Sequence, residues 1–208
     1  AHDLHLEAIA LTDINNMYGA VEFSNECHKY DIKPIFGMQG NVNVEGEIYP
    51  FLLLAKDQVG YHDLMKICSD INLSDQKAID LEKLRLYHEH LFILSGCKEG
   101  IVERCVLKEL ESEALRYMAL FKEMFKDNYY ICPQDHGSQM QKHLNERLKA
   151  LAKLQGIKVC ASNEVRYFYP QEAFAIDLMQ ASIHGEKRRQ RDTLQTNQKY
   201  LKSGYEIS

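Results

Sequence analysis

Short apolar runs alternate with longer amphipathic stretches along this chain, and that rhythm restricts the fold more than any single motif does. Residues 8–11 form a compact β-like run that ends at Thr12-Asp13. Residues 18–30 then read as a helix, with Val21, Phe23 and Cys27 as core candidates. A short strand over 34–37 is expected to stop at Gly37, and residues 42–44 and 48–55 flank Gly46 as a hairpin. Residues 60–71 carry Leu64, Ile67 and Cys68 on one helical stripe. The run 91–94 is a buried-strand signal, and helices are predicted over 99–106 and 109–125. A strand at 129–132 precedes the clearest helix, 139–155, where Leu144, Leu148, Leu151 and Ala152 recur at helical spacing before Gly156. A strand at 158–161 and a helix at 170–182 follow. Strands that alternate with helices imply a mostly parallel sheet with helices packed outside it. Periodicity does not separate an open sheet from a closed barrel.

With 208 residues the chain can bury one sizeable core. It reads as a single domain over 1–208, with 185–208 as a junction to further protein. The first residue is Ala1 rather than Met, and the chain reads as a piece of a longer one. No apolar run approaches a membrane span. The six cysteines are scattered without a CxxC pair, which fits reduced thiols in a cytoplasm. A net charge of −5 argues against holding DNA over the whole surface. The one basic run, Lys187, Arg188, Arg189 and Arg191, reads first as a solvated connector and second as a local phosphate contact.

Parallel α/β folds place ligands at the C-terminal ends of their strands. The residues expected there are Thr12 to Asn16, Met38-Gln39, Ser95-Gly96-Cys97, Gln134 to Gly137 and Ser162 to Tyr167. Chemistry alone leaves three readings open: a small-molecule site, a metal site, or ordinary capping residues. A metal needs several converging His, Asp, Glu or Cys ligands. Asp13, Cys97, Asp135, His136 and Glu164 are the candidates, but Arg166 on the same rim would repel a cation. His2 and His5 are not spaced to share a strand face, and His88 and His90 fall at the wrong end of their strand. Both pairs read as surface residues.

Several segments together resemble one family, the polymerase-and-histidinol-phosphatase (PHP) domain of bacterial DNA polymerase III alpha subunits. Residues 10–23 resemble its "ALTDHGNLFGAVEF", 32–39 its "IKPIIGCE", and 52–64 its "LLAKNEEGYRNL". Residues 87–97 resemble "YHEGLIALSGC", 159–167 resemble "VATNDVHY", and 200–203 match "YLKS". The order and approximate spacing also agree, so the resemblance spans nearly the whole chain.

That resemblance implies a distorted (β/α)7-type barrel at the N-terminus of a longer polymerase, with the opening HxH strand before Ala1. In family members with an intact site, His, Asp, Glu and Cys side chains hold divalent metals that support phosphoesterase or nuclease chemistry. Here the matched positions read Asp13, Ile14, Gln39, Cys97, His136, Glu164 and Arg166. Ile14 stands where the family has His, Gln39 where it has Glu, and Glu164 and Arg166 where it has Asp and His. The expectation is a vestigial site with no cofactor of its own, in which Arg166 pairs with Glu164 or Asp13. The implied partners are the rest of the alpha chain, a proofreading exonuclease subunit, and DNA held through the parent polymerase. The nucleotidyltransferase chemistry and its magnesium would lie elsewhere in that parent. The rival reading is an active phosphoesterase or 3′–5′ exonuclease that uses zinc or manganese.

Overall fold

The computed structural model describes residues 1–96, 99–183 and 197–207. Cys97, Lys187, Arg188, Arg189 and Arg191 therefore lie outside the described residues. In chain order the elements are β1 (Ala8–Ile14), α1 (Ala20–Lys29), β2 (Lys33–Val44), β3 (Glu47–Ala55) and α2 (Gln58–Leu73). Then come β4 (Ile79–Asp80), α3 (Leu81–Leu84), β5 (Leu91–Leu94), α4 (Ile101–Leu107) and α5 (Glu111–Phe125). The last are β6 (Tyr129–Ile131), α6 (Gln139–Gln155), β7 (Lys158–Val159), α7 (Ala173–Ile183) and α8 (Gly204–Ile207).

The strands form one sheet in the order β1-β2-β3-β5-β6-β7, with β4 paired to β2. The β1/β2, β2/β4, β5/β6 and β6/β7 pairings are parallel, while β3 is antiparallel to both its neighbours. The sheet is therefore mixed, and β3 is the strand that runs against the rest. The hairpin causes the reversal. Val44 pairs with Glu47 across a two-residue turn, and Glu45 and Gly46 both adopt positive φ, 56° and 89°. That geometry matches the twist of antiparallel strands.

Gly37 does not end its strand as expected. It sits inside β2, where an added Cβ would lie 2.4 Å from the Leu53 carbonyl oxygen. The glycine admits a close backbone approach between β2 and β3 rather than a stop. α1 also differs from expectation. Ala20 and Cys27 are buried, whereas Val21 is 70% exposed. α6 buries Leu144, Leu148, Leu151 and Ala152, the stripe its spacing predicted. β7 is shorter than the predicted 158–161, although Cys160 N–H still donates to the Ile131 carbonyl and Ser162 N–H to that of Pro133. The main core packs α2, α5 and α6 on the sheet, with Met38, Leu53, Leu64, Ile67, Met118 and Ile131 fully enclosed.

One acidic group lies inside this core. Glu103, in the first turn of α4, is 1% exposed, and neither carboxyl oxygen has a hydrogen-bond partner. Burial pushes its carboxyl up to about 7, and the nearby Ser95 hydroxyl and its own N–H offset this only in part. The folded state thus keeps a proton that the unfolded chain releases near 4.5, so stability falls as pH rises from about 4.5 to 7 and levels off above that. Glu103→Gln is expected to be more stable than the parent at pH 8 by up to about 3 kcal/mol and equal to it at pH 4. Urea unfolding of both proteins at the two pH values checks this.

Candidate functional site

At the C-terminal ends of β6 and β7 the backbone carries His136 and the segment 162–167 to one place. A third strand-like piece joins them. Tyr200 bridges to Tyr167 in parallel, Arg166 N–H donates to the Lys199 carbonyl at 2.8 Å, and Leu201 N–H donates to that of Tyr167 at 3.0 Å. Residues 199–201 thereby run beside Arg166 and Tyr167 through an isolated parallel bridge.

Asn163 joins the three pieces. Its Nδ2 donates to the carbonyls of Tyr200 at 2.8 Å and Gln198 at 3.2 Å, which leaves its Oδ1 facing His136 Nε2 at 3.2 Å. On the other side of the ring, His136 N–H donates to Gln141 Oε1 at 3.1 Å, so the Gln141 amide nitrogen faces Nδ1 at 3.2 Å. Each amide is oriented by backbone, and together they specify one imidazole: neutral, with Nε2–H donating and Nδ1 accepting. Consistent with that, burial first, and then the charges of Lys199 and Lys202, hold His136 below the usual imidazole range, while Glu164 opposes them.

Glu164 is the anionic centre of the cluster. It accepts from Arg166 Nε at 2.7 Å and from Arg166 Nη2, and its other oxygen accepts from Lys199 Nζ at 2.6 Å. Desolvation pushes its carboxyl up, but the Lys199 and Arg166 bonds outweigh it and leave the group below the usual range. Of the two expected partners for Arg166, Glu164 is therefore the one it meets. Lys202 is nearly enclosed at 9% exposure, with its ammonium 5.6 Å from the Tyr200 ring centroid.

The other matched positions are placed elsewhere. Asp13 and Ile14 end β1, where Ile14 pairs with Gln39 inside β2 and is 51% exposed. Among the described residues, no hydrogen bond or ion pair joins Asp13 or Gln39 to the His136 cluster. Asp135 accepts from the Gly137 N–H at 2.7 Å, as a turn residue does. Among the described residues, no three His, Cys, Asp or Glu side chains converge as a metal would need. Away from this site, His2 lies in an exposed 3-10 turn, and His90 pairs with Asp57 at 2.8 Å at the far end of β5. Sequence reasoning missed Lys199, Lys202 and the role of Asn163. The "YLKS" match was the only signal near the two lysines.

The family model that matches this chain is the PHP domain, over residues 1–136. The DNA polymerase III subunit alpha of Borreliella burgdorferi is 30% identical over the whole chain, and that of Treponema pallidum is 32% identical over the whole chain. The Bacillus subtilis protein of the same name is 31% identical over 90% of it. The chain spans under a fifth of the length of these relatives (19%, 19% and 17%) and matches their N-terminal region. No helix among the described residues is long and apolar enough to cross a membrane.

Asn163→Ala removes the amide that ties His136 to residues 198 and 200, and is expected to lower stability by about 2 kcal/mol. Arg166→Ala breaks a pair whose side chains are 44% and 33% exposed, so a loss below about 1 kcal/mol is expected. Thermal unfolding of the two variants checks the order.

Proposed function

The chain belongs to the PHP domain family, and from that premise we propose that it is the N-terminal domain of a bacterial DNA polymerase III alpha subunit, serving the polymerase structurally and without nuclease activity of its own. On this reading the sheet belongs to a distorted (β/α)7 barrel that forms a single domain over 1–208. Nucleotidyl transfer, with its magnesium, belongs to the remaining four-fifths of the polypeptide.

One observation carries the non-catalytic part. The donor set at the strand ends does not fit a metal. A ligating imidazole must offer a lone pair, yet Nδ1 of His136 faces the Gln141 amide and Nε2 faces Asn163. The Glu164 carboxylate is occupied by Arg166 and Lys199, and those cations would repel a divalent ion. Arg166 thus stands where the family pattern has a ligand, and Lys199 reaches the same carboxylate beside it. Among the described residues no usable ligand set converges, which favours this reading over the phosphoesterase or exonuclease alternative.

The surface supports a bracing role. Phe168 (69% exposed) and Tyr169 (64%) just before α7, and Met179 (60%) on it, are exposed apolar side chains. The rest of the alpha chain is the partner this apolar surface suits. A proofreading exonuclease subunit is a further partner implied by the family, and DNA contact comes through the parent polymerase.

The purified chain is expected to carry substoichiometric zinc and manganese by elemental analysis. It is also expected to leave a phosphodiester and a DNA 3′ end intact when either metal is added. Stoichiometric metal, with hydrolysis abolished in His136→Ala, would overturn the reading.

A further inference from the structure

We propose that Cys132 and Cys160 are a redox pair that closes a reversible disulfide between the ends of β6 and β7. The modification is independent of whether the strand ends hold a metal.

The argument begins with register. Ile131 pairs with Val159 in the parallel ladder, and Cys160 N–H donates to the Ile131 carbonyl at 2.9 Å. The pairing therefore runs one residue past both strands and sets Cys132 opposite Cys160. Ser162 N–H donates to the Pro133 carbonyl at 3.2 Å, so the same register holds two residues later. There the opposed side chains meet, Gln134 Nε2 donating to Ser162 Oγ at 3.2 Å. Alternate residues of an extended chain share a face, so Cys132 and Cys160 lie on the face where Gln134 and Ser162 touch. Neighbouring strands are about 4.8 Å apart, inside the Cα separation of about 4.4–6.8 Å that a disulfide spans. The ladder also loses a bond here, because the next residue on the β6 side, Pro133, has no N–H to give. The other described cysteines, Cys27, Cys68 and Cys105, lie on three different helices.

The two thiols differ in a way that orders the chemistry. Cys160 is exposed, whereas Cys132 is 1% exposed. Burial above all pushes the Cys132 thiol up to about 12, the Ser162 hydroxyl opposes this, and the charges of Cys160 and Glu103 add to it. A buried, protonated thiol does not open an exchange reaction, so Cys160 acts first. Its thiolate attacks one sulfur of a low-molecular-weight disulfide, breaks that S–S bond and releases one thiolate. Cys132 then gives up its proton and attacks the Cys160 sulfur, which breaks the mixed disulfide and expels the second thiolate. Two protein thiols are oxidised, one small disulfide is reduced to two thiols, and the two protons pass to the leaving thiolates. The scarcity of the Cys132 thiolate is offset by its high nucleophilicity and by its fixed place beside Cys160. The bond would hold β7 to β6 just below Ser162 and Asn163, so the oxidation state of this pair bears directly on the strand-end platform.

The test exposes the reduced chain to oxidised glutathione, quenches with acid, and identifies the linked peptides by mass spectrometry. A Cys132–Cys160 disulfide is expected, preceded by glutathione on Cys160, and dithiothreitol should restore both thiols. Closure should accelerate about tenfold per pH unit on the alkaline side of neutrality, as the Cys132 thiolate fraction rises. It should be at least about tenfold faster in the folded chain than in urea. Cys160→Ser, a change at an exposed position, should leave Cys132 reduced in the folded chain. Glutathione that stays on Cys160 while Cys132 remains reduced would overturn the pair. So would a bond from Cys132 to any other cysteine, equal oxidation of Cys132 in folded Cys160→Ser, or closure no faster in the folded chain than in urea.

Discussion

The carboxamide of Asn163 is the contact on which the strand-end site depends. A carboxamide can donate with one end and accept with the other, and here both ends are committed. Its nitrogen holds the 198–202 segment against the ends of the sheet. Its oxygen then has one role left, to accept from an imidazole N–H. That choice passes through the ring to Gln141, which is oriented in turn by the His136 backbone. Without Asn163, the carbonyls of Gln198 and Tyr200 would lose their link to His136, leaving the Arg166–Lys199 and Leu201–Tyr167 backbone bonds to hold Lys199 beside Glu164.

The sheet below supplies the platform. β5, β6 and β7 run parallel, so Ser95, Gln134 to His136 and Ser162 to Glu164 emerge at the same end. Two bonds tie these ends together: Cys132 N–H donates to Ser95 Oγ at 2.9 Å, and Gln134 Nε2 to Ser162 Oγ at 3.2 Å. The reversed β3 separates this half from β1 and β2. The matched residues Asp13, Ile14 and Gln39 belong to that other half. The positions aligned by family pattern are therefore split in the hydrogen-bond network, and the polar cluster rests on the β6/β7 half.

Much of the helical framework was legible in the sequence because its signal is local. The Leu144, Leu148 and Leu151 spacing of α6 follows from 3.6-residue periodicity alone, and the hairpin around Gly46 follows from turn chemistry. What failed depended on contacts between distant parts. Gly37 looked like a strand stop, but its lack of a side chain answers the Leu53 carbonyl of the neighbouring strand. Val21 looked like a core residue, but α1 buries Ala20 and Cys27 instead. At the site, His136, Glu164 and Arg166 stood out because their chemistry is conspicuous. Asn163 did not, because an amide suggests no catalysis until its partners are known. Lys199 lies 35 residues from the Glu164 it meets, and no periodicity links the two.

On the proposed reading, His136 is held as a neutral hydrogen-bonding ring and is not offered as a metal ligand. Nitrogen-15 spectra of its imidazole, recorded while zinc is added at neutral pH, test this most directly. The Nε2–H tautomer is expected before zinc, with unchanged Nδ1 and Nε2 resonances after it. A zinc-dependent shift of either nitrogen that saturates at one equivalent would contradict it.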